Sequence, residues 1–156
     1  MRECGSCGVC CIELNINVPE LKKPKGIRCP HLSSEMVHRC TIYSTRPKVC
    51  QIYSCYWLNG HGSKDGRPNQ SGILINDIQI KRDMWLIAKE LEKNTIWTTG
   101  RNMIVETVRQ TKRPVLIKKF KSTAKIADYI VSAEKSDLAG QFIRDLENLE
   151  VYELLL

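Results

Sequence analysis

The sequence predicts an α+β protein in which an irregular, cysteine-rich, metal-bound N-terminal region packs on a small core of mixed strands and helices. Three observations carry that reading. All eight cysteines of the 156-residue chain lie at or before residue 55. The stretch 59–71 is crowded with Gly60, Gly62, Gly66, Pro68, Asn69 and Ser71, which reads as a loop. Beyond it, β-type and helix-type apolar patterns alternate. The organisation that follows is a metal-binding region over 1–58, a loop over 59–71, and a region over 72–156 that completes a single domain.

The N-terminal element rests on Cys4, Cys7, Cys10, Cys11, Cys29, Cys40, Cys50 and Cys55. An even cysteine count in a short chain also fits a disulfide framework. The start Met1-Arg2-Glu3-Cys4-Gly5 lacks the apolar run of a secretory signal, so a reducing cytoplasmic address is expected and disulfides are disfavoured. Isolated core thiols would not cluster as Cys4-x2-Cys7-x2-Cys10-Cys11. Two thiolates separated by two residues can turn back onto one ion, and Gly5 and Gly8 sit inside those turns, where a positive φ costs glycine little. Eight thiolates suit two four-coordinate sites, holding either zinc or an iron–sulfur cluster. The Cys-x2-Cys-x2-Cys run is similar to a bacterial ferredoxin run but lacks its x3 step to a fourth cysteine followed by proline. The neighbours Cys10 and Cys11 point apart in most backbone conformations, which suggests service in different sites. Spacing alone leaves the pairing of ligands open.

The same residues resemble a known family. Cys4-Gly-Ser-Cys7-Gly-Val-Cys10-Cys11 is similar to the CxxCxxCC opening of the zinc- or iron-chelating cysteine-cluster proteins. Cys29-Pro-His-Leu32, Cys40-Thr-Ile-Tyr43, Arg46-Pro47, Cys50 and Cys55 follow in that family's order. The resemblance covers roughly residues 4–57. It implies metal binding through all eight cysteines. Some larger relatives are flagellin lysine methylases carrying an iron–sulfur cluster, but this chain has no Gly-rich loop to seat a methyl donor.

Around the cysteines, His31 and His38 are secondary ligand candidates, and His61 is expected in solvent. Pro47 is expected to open a short helix over Lys48 to Tyr53, capped by Ser44 or Thr45. Arg46 would offset thiolate charge or pair with a carboxylate. Tyr43, Tyr53, Tyr56 and Trp57 are expected to cover the metal and exclude water.

Downstream, Ile73 to Ile80 reads as a strand. Asp83 is expected to cap a helix through Met84, Trp85, Ile87, Ala88 and Leu91. Thr95 to Trp97 reads as a short strand. A helix is expected over Arg101 to Lys112 with Met103, Ile104, Thr107, Val108 and Thr111 on one face. Pro114 ends it, and Val115 to Phe120 reads as a strand. Ser122 is expected to open a helix carrying Ile126, Ala127 and Ile130. Ser136 is expected to open another, with Leu138, Ala139, Phe142, Ile143, Leu146 and Leu149 on its apolar side. Val151 to Leu156 would be a strand or the helix end.

Composition narrows the function classes. No stretch approaches a membrane span, so no membrane partner is expected. The formal charge is +7 with neutral thiols. Two divalent ions on four thiolates each would lower it to about +3, so the basic balance points only weakly to nucleic acid. Eight Lys/Arg, Lys23 and Arg46 among them, stand in the first 57 residues against four Glu, and some would balance buried thiolate charge. The stretch Lys112, Arg113, Lys118, Lys119, Lys121, Lys125 is the best candidate interaction surface, read first as a solvated face. The leading expectation is a metal-binding protein, structural or redox in purpose. An iron–sulfur-dependent protein-modifying enzyme and a zinc-stapled nucleic-acid module are the rivals. No catalytic constellation stands out, and a protein partner is the other open class.

Overall fold

The computed structural model describes residues 2–34, 39–80, 82–123 and 127–131. The chain divides into two compact units, the first running to Ser54 and the second starting at Cys55. Helices and strands are mixed along the chain, in keeping with α+β. Cys55, Tyr56, Trp57 and Leu58, which sequence places with the cysteine region, fold with the second unit. Among the described residues, no helix is long and apolar enough to cross a membrane.

The first unit is short on regular structure. Helix α1 covers Cys10–Glu13, strands β1 (Ile16–Val18) and β2 (Leu21–Lys23) form an antiparallel hairpin, and helix α2 covers Lys48–Ile52. Its buried apolar cluster is Ile16, Leu21, Cys29 and Leu32, with Cys11, Ile12, Val18, Val49 and Cys50 packed against it. Helix α2 is where proline predicts it. Pro47 is the residue before the first turn rather than in it, and no Ser or Thr side chain caps it.

The second unit begins with turns and a short helix α3 (Pro68–Ser71), so the stretch 59–71 is not wholly loop. Strands β3 (Ile73–Ile80), β4 (Asp83–Glu90), β5 (Val115–Lys118) and β6 (Tyr129–Val131) then form one sheet in that order. β3 and β4 are antiparallel, β4 and β5 parallel, β5 and β6 antiparallel. The 3-10 turn Thr95–Trp97 and helix α4 (Arg101–Thr111) fill the crossover from β4 to β5, the length a parallel pair requires.

Four sequence expectations are corrected here. Asp83 starts a strand, not a helix. Leu86, Ala88 and Glu90 are buried while Trp85, Ile87 and Lys89 are only partly so, and that period of two is the strand signal. Thr95–Trp97 is a 3-10 helix, not a strand. The strand expected to Phe120 stops at Lys118. Tyr129–Val131 is strand β6, not helix, held because Leu116 pairs with Ile130 across the ladder. The expected elements from Ser136 onward lie outside the described residues.

Helix α4 buries four of the five residues of its predicted face, Met103, Ile104, Thr107 and Val108, together with Val105, while Thr111 is only partly buried. They pack with Ile73, Ile75, Leu86, Ala88, Val115 and Ile117 from one face of the sheet and with Trp57. Ile78, Leu116 and Ala127 cluster on the opposite face with Trp85, Ile87 and Ile130. The helix ends at Thr111, and Lys112 takes a left-handed conformation, φ 56°, before Pro114.

Candidate metal centre

The local fold of the cysteine unit follows from short backbone hydrogen bonds. The Cys7 amide donates to the Cys4 carbonyl at 2.9 Å, closing the first turn. Gly5 sits in that turn at φ 49°, as the spacing predicts. Gly8 serves differently: it does not have a positive φ, and a Cβ there would meet Leu32 Cδ1 at 2.8 Å and Arg39 Cδ at 3.0 Å. Glycine is therefore needed at residue 8 for close approach. The next turn becomes α1, which carries Cys10 and Cys11.

The later cysteines are drawn in by the chain's own pairing. The Cys29 amide donates to the Cys11 carbonyl at 2.9 Å, and the Leu32 amide to the Cys29 carbonyl at 3.1 Å. Leu32 bridges to Cys40 in an isolated antiparallel pair. Helix α2 adds Cys50, which packs with Cys11 and Cys29 on the apolar cluster.

Mutual electrostatics define two overlapping neighbourhoods. The Cys10 thiol is pushed far up, first by its hydrogen bond to Cys11, then by burial and by the charges of Cys11, Cys4 and Cys7. The Cys11 thiol is pushed down to about 7, first by that same hydrogen bond, helped by the charges of Lys23 and Arg46. The physical picture is a Cys10 S–H donating to a Cys11 thiolate. Burial raises Cys29, where the His31 backbone N–H partly offsets it and Cys11 and Cys40 reinforce it. Burial also raises Cys50, reinforced by Cys11, Cys29 and Cys40 and opposed by Arg46. One neighbourhood is thus Cys4, Cys7, Cys10 and Cys11; the other is Cys11, Cys29, Cys40 and Cys50.

The eighth cysteine, Cys55, is half-buried and packs in the second unit against the core around Trp57 and Ile73. No disulfide joins any of the eight. Among the described residues, no group of three or more His, Cys, Asp or Glu stands ready-made as a metal cage. His38 lies outside the described residues. His61 is not a purely solvent group, since its ring lies 5.0 Å from that of Tyr56.

Two orphaned donors test whether an anionic metal–thiolate group suits this unit. Arg39 Nε and Arg46 Nε are buried with no hydrogen-bond partner. Arg46 is close enough to act on the charges of both Cys11 and Cys50. Its guanidinium also covers the Tyr43 ring at 4.0 Å. A buried N–H near the Cys11 and Cys50 charges, as at Arg46, is the kind of donor that metal-bound sulfur accepts. Of the aromatic residues expected to cover the metal, Tyr43 is 52% exposed, and Tyr56 and Trp57 fold with the second unit.

Lys23, one of the eight cations that the sequence offers as counter-charges to thiolate, is the one the structure buries deepest among the described residues. It is 2% exposed, and its ammonium donates to the carbonyls of Ile12, Pro24 and Ile27 at 2.8, 3.0 and 2.7 Å. Burial pulls its pKa down, and the charges of Cys29 and Cys11 push it back up. The available signal was parity: Lys23 shares the inward face of β2 with buried Leu21.

No family model, curated protein or solved structure matches this chain.

Proposed function

We propose that the first unit is a metal-binding module that holds zinc or an iron–sulfur cluster through cysteine thiolates, for a structural or redox purpose. The carrying observation is the backbone pairing that draws the cysteines of this unit together: the Cys7 amide on the Cys4 carbonyl, the Cys29 amide on the Cys11 carbonyl, Leu32 joined to both Cys29 and Cys40, and Cys11, Cys29 and Cys50 in one packed cluster. Uncompensated thiolates this close repel one another, and a bound cation reverses the sign of that interaction. The poverty of the local core supports the same reading. A cluster of Ile16, Leu21, Cys29 and Leu32 is small for a unit of this length, so cross-links through metal would supply much of its order.

When bound, zinc would cross-link the cysteine loops, whereas an iron–sulfur cluster would add one-electron chemistry. This chain's own residues supply the ligands, the N–H groups of Arg39 and Arg46, and the cation at Lys23. The rival nucleic-acid reading loses support at Arg113, which is engaged with Asp77 and Tyr56. Elemental analysis with a visible spectrum on anaerobically purified protein tests the proposal. Bound metal at one or more per chain is expected, brown for iron–sulfur and colourless for zinc; less than one per chain ends it.

A further inference from the structure

A lysine almost never sits fully buried without a partner that cancels its charge. Lys23 is 2% exposed, and its hydrogen-bond partners are the neutral carbonyls of Ile12, Pro24 and Ile27. Three acceptors use all three N–H groups of an ammonium, one more than a neutral amine possesses. The cage therefore selects the charged form, and its charge is met not by the groups that hold it but by Cys29, Cys11 and Glu13 near it.

The position of the cage matters as much as its chemistry. Ile12 adjoins Cys11, and Ile27 lies two residues before Cys29. The backbone at those two points is joined by the Cys29 amide donating to the Cys11 carbonyl. The ammonium is thus pinned to the strands of chain that present Cys11 and Cys29. Its neighbour Lys22 is exposed and belongs to the outward face of the same hairpin.

We propose that Lys23 is a positioning residue of the metal centre, a caged ammonium whose fixed positive charge raises the affinity of the Cys11 and Cys29 side for a soft divalent cation without touching that cation. The inference rests on the metal-binding reading above. The physical basis is that a site of four thiolates around a divalent ion carries a net negative charge, which a buried cation nearby offsets in a medium of lower dielectric than water.

The test is titration of the full chain, reduced and stripped of metal, with Co²⁺ under nitrogen, and measurement of affinity by competition with a chromogenic chelator. Thiolate-to-cobalt and ligand-field bands report the coordination sphere separately from the affinity. Lys23→Met is expected to weaken Co²⁺ binding by about tenfold or more with the bands unmoved, while Lys22→Met changes it by less than about twofold. Equal affinity in wild type and Lys23→Met, or an equal loss in Lys22→Met, overturns the inference and leaves the metal reading standing. Absence of thiolate-to-cobalt bands in the wild type removes the metal reading itself and this inference with it. If Lys23→Met does not fold, or its bands shift, Lys23→Arg decides. Affinity within about threefold of wild type supports the charge role. A tenfold loss, or failure to fold, makes Lys23 a scaffold residue alone and overturns the inference.

Discussion

Arg113 Nη1 lies 2.8 Å from Asp77 Oδ1, so the residue just before β5 is tied to the middle of β3, two strands away. The same nitrogen donates to the Tyr56 hydroxyl at 2.6 Å, and Tyr56 in turn donates to Asp77 Oδ1 at 2.8 Å. Arg113 also reaches the carbonyls of Met84 and Trp85 through Nε and Nη2, at 3.1 and 2.9 Å. The side chains of Arg113 and Asp77 are 28% and 47% exposed, which discounts the ion pair to roughly 0.5 kcal/mol. Asp77→Asn is therefore expected to cost little. Arg113→Ala removes the hydrogen bonds to the Met84 and Trp85 carbonyls and to the Tyr56 hydroxyl and is expected to cost about 1–2 kcal/mol, read as a shift in the urea midpoint.

The Tyr56 hydroxyl adds a pH dependence. Burial pushes its pKa up, and the Asp77 hydrogen bond and charge add to that, against Arg113. A folded pKa above the unfolded one means the neutral phenol contributes stability that is full below about pH 10 and lost as pH rises through the folded value. Wild type is expected to lose stability above about pH 10 more steeply than Tyr56→Phe. Equal alkaline slopes in chemical denaturation would refute this account.

Glu90 is 1% exposed, and its two carboxylate oxygens accept the amides of Ile96 and Phe120 at 3.2 and 2.8 Å. It fastens the 3-10 turn and the end of β5 to β4. Glu90→Gln keeps the shape but replaces one acceptor oxygen with a donor that faces a donor. The expected loss is about 2 kcal/mol, with Glu90→Ala at least as costly because both amides then go unpaired. Denaturant unfolding followed by Trp fluorescence measures both.

Two glycines separate flexible from rigid crowding. A Cβ at Gly100 would meet the Ile73 side chain and the Thr95 carbonyl oxygen, the latter at 2.9 Å. Backbone cannot yield as a side chain does, so Gly100→Ala is expected to cost about 2 kcal/mol. A Cβ at Gly8 meets side-chain atoms, of buried Leu32 and of Arg39, which must shift to admit it. Gly8→Ala should cost less in stability yet move Arg39, with metal affinity as the sensitive readout. A larger stability loss at residue 8 than at residue 100 would contradict this ranking.

The elements that sequence located well are those whose pattern is local and repeated. Ile73–Ile80 and Arg101–Thr111 show enough apolar residues at one period to settle their type. Asp83–Glu90 defeated the reading because Trp85, Ile87, Ala88 and Leu91 also fit a helical face. Only pairing with β3, Ile75 opposite Ala88 and Asp77 opposite Leu86, decides for the strand. Tyr129–Val131 is three residues long and exists through its ladder with β5, which no local pattern announces. In the cysteine unit the residue types were legible and the neighbourhoods were not, since the Cys29-to-Cys11 backbone bond joins positions 18 residues apart. Lys23 was legible as one of eight possible counter-charges, but its burial showed only in its parity with Leu21, a weak signal over a strand of three residues.

The shared proton of the vicinal pair gives a reactivity prediction. Cys11 is the thiolate partner, pushed down to about 7, while Cys10, Cys29 and Cys50 are pushed up. In reduced, metal-free protein near neutral pH, Cys11 carries more thiolate than the three whose thiols are pushed up, so it should alkylate first and fastest of these four. Limited iodoacetamide labelling with peptide mass mapping reads the order directly. First labelling of Cys10 would reverse the assigned direction of the hydrogen bond.

The two units should also respond differently when metal is removed. The second unit owes its order to a continuous apolar cluster from Trp57 through Ile73, Leu86, Ile104, Val108 and Val115, none of which depends on a thiolate. Among its described residues the first unit has only the Ile16, Leu21, Cys29 and Leu32 cluster, and its turns bring like charges together. Adding chelator and reductant to metal-loaded protein is therefore expected to speed amide exchange at Cys7, Cys29 and Leu32, whose N–H groups close the cysteine turns, by about a hundredfold or more. Amides of β3 to β5 should keep their protection, because their ladder is untouched. Uniform loosening of both sets would mean that metal supports the whole chain. Unchanged exchange at the three cysteine-turn amides would mean that apolar packing alone orders the first unit, and the thiolate cross-links would then have no structural work to perform.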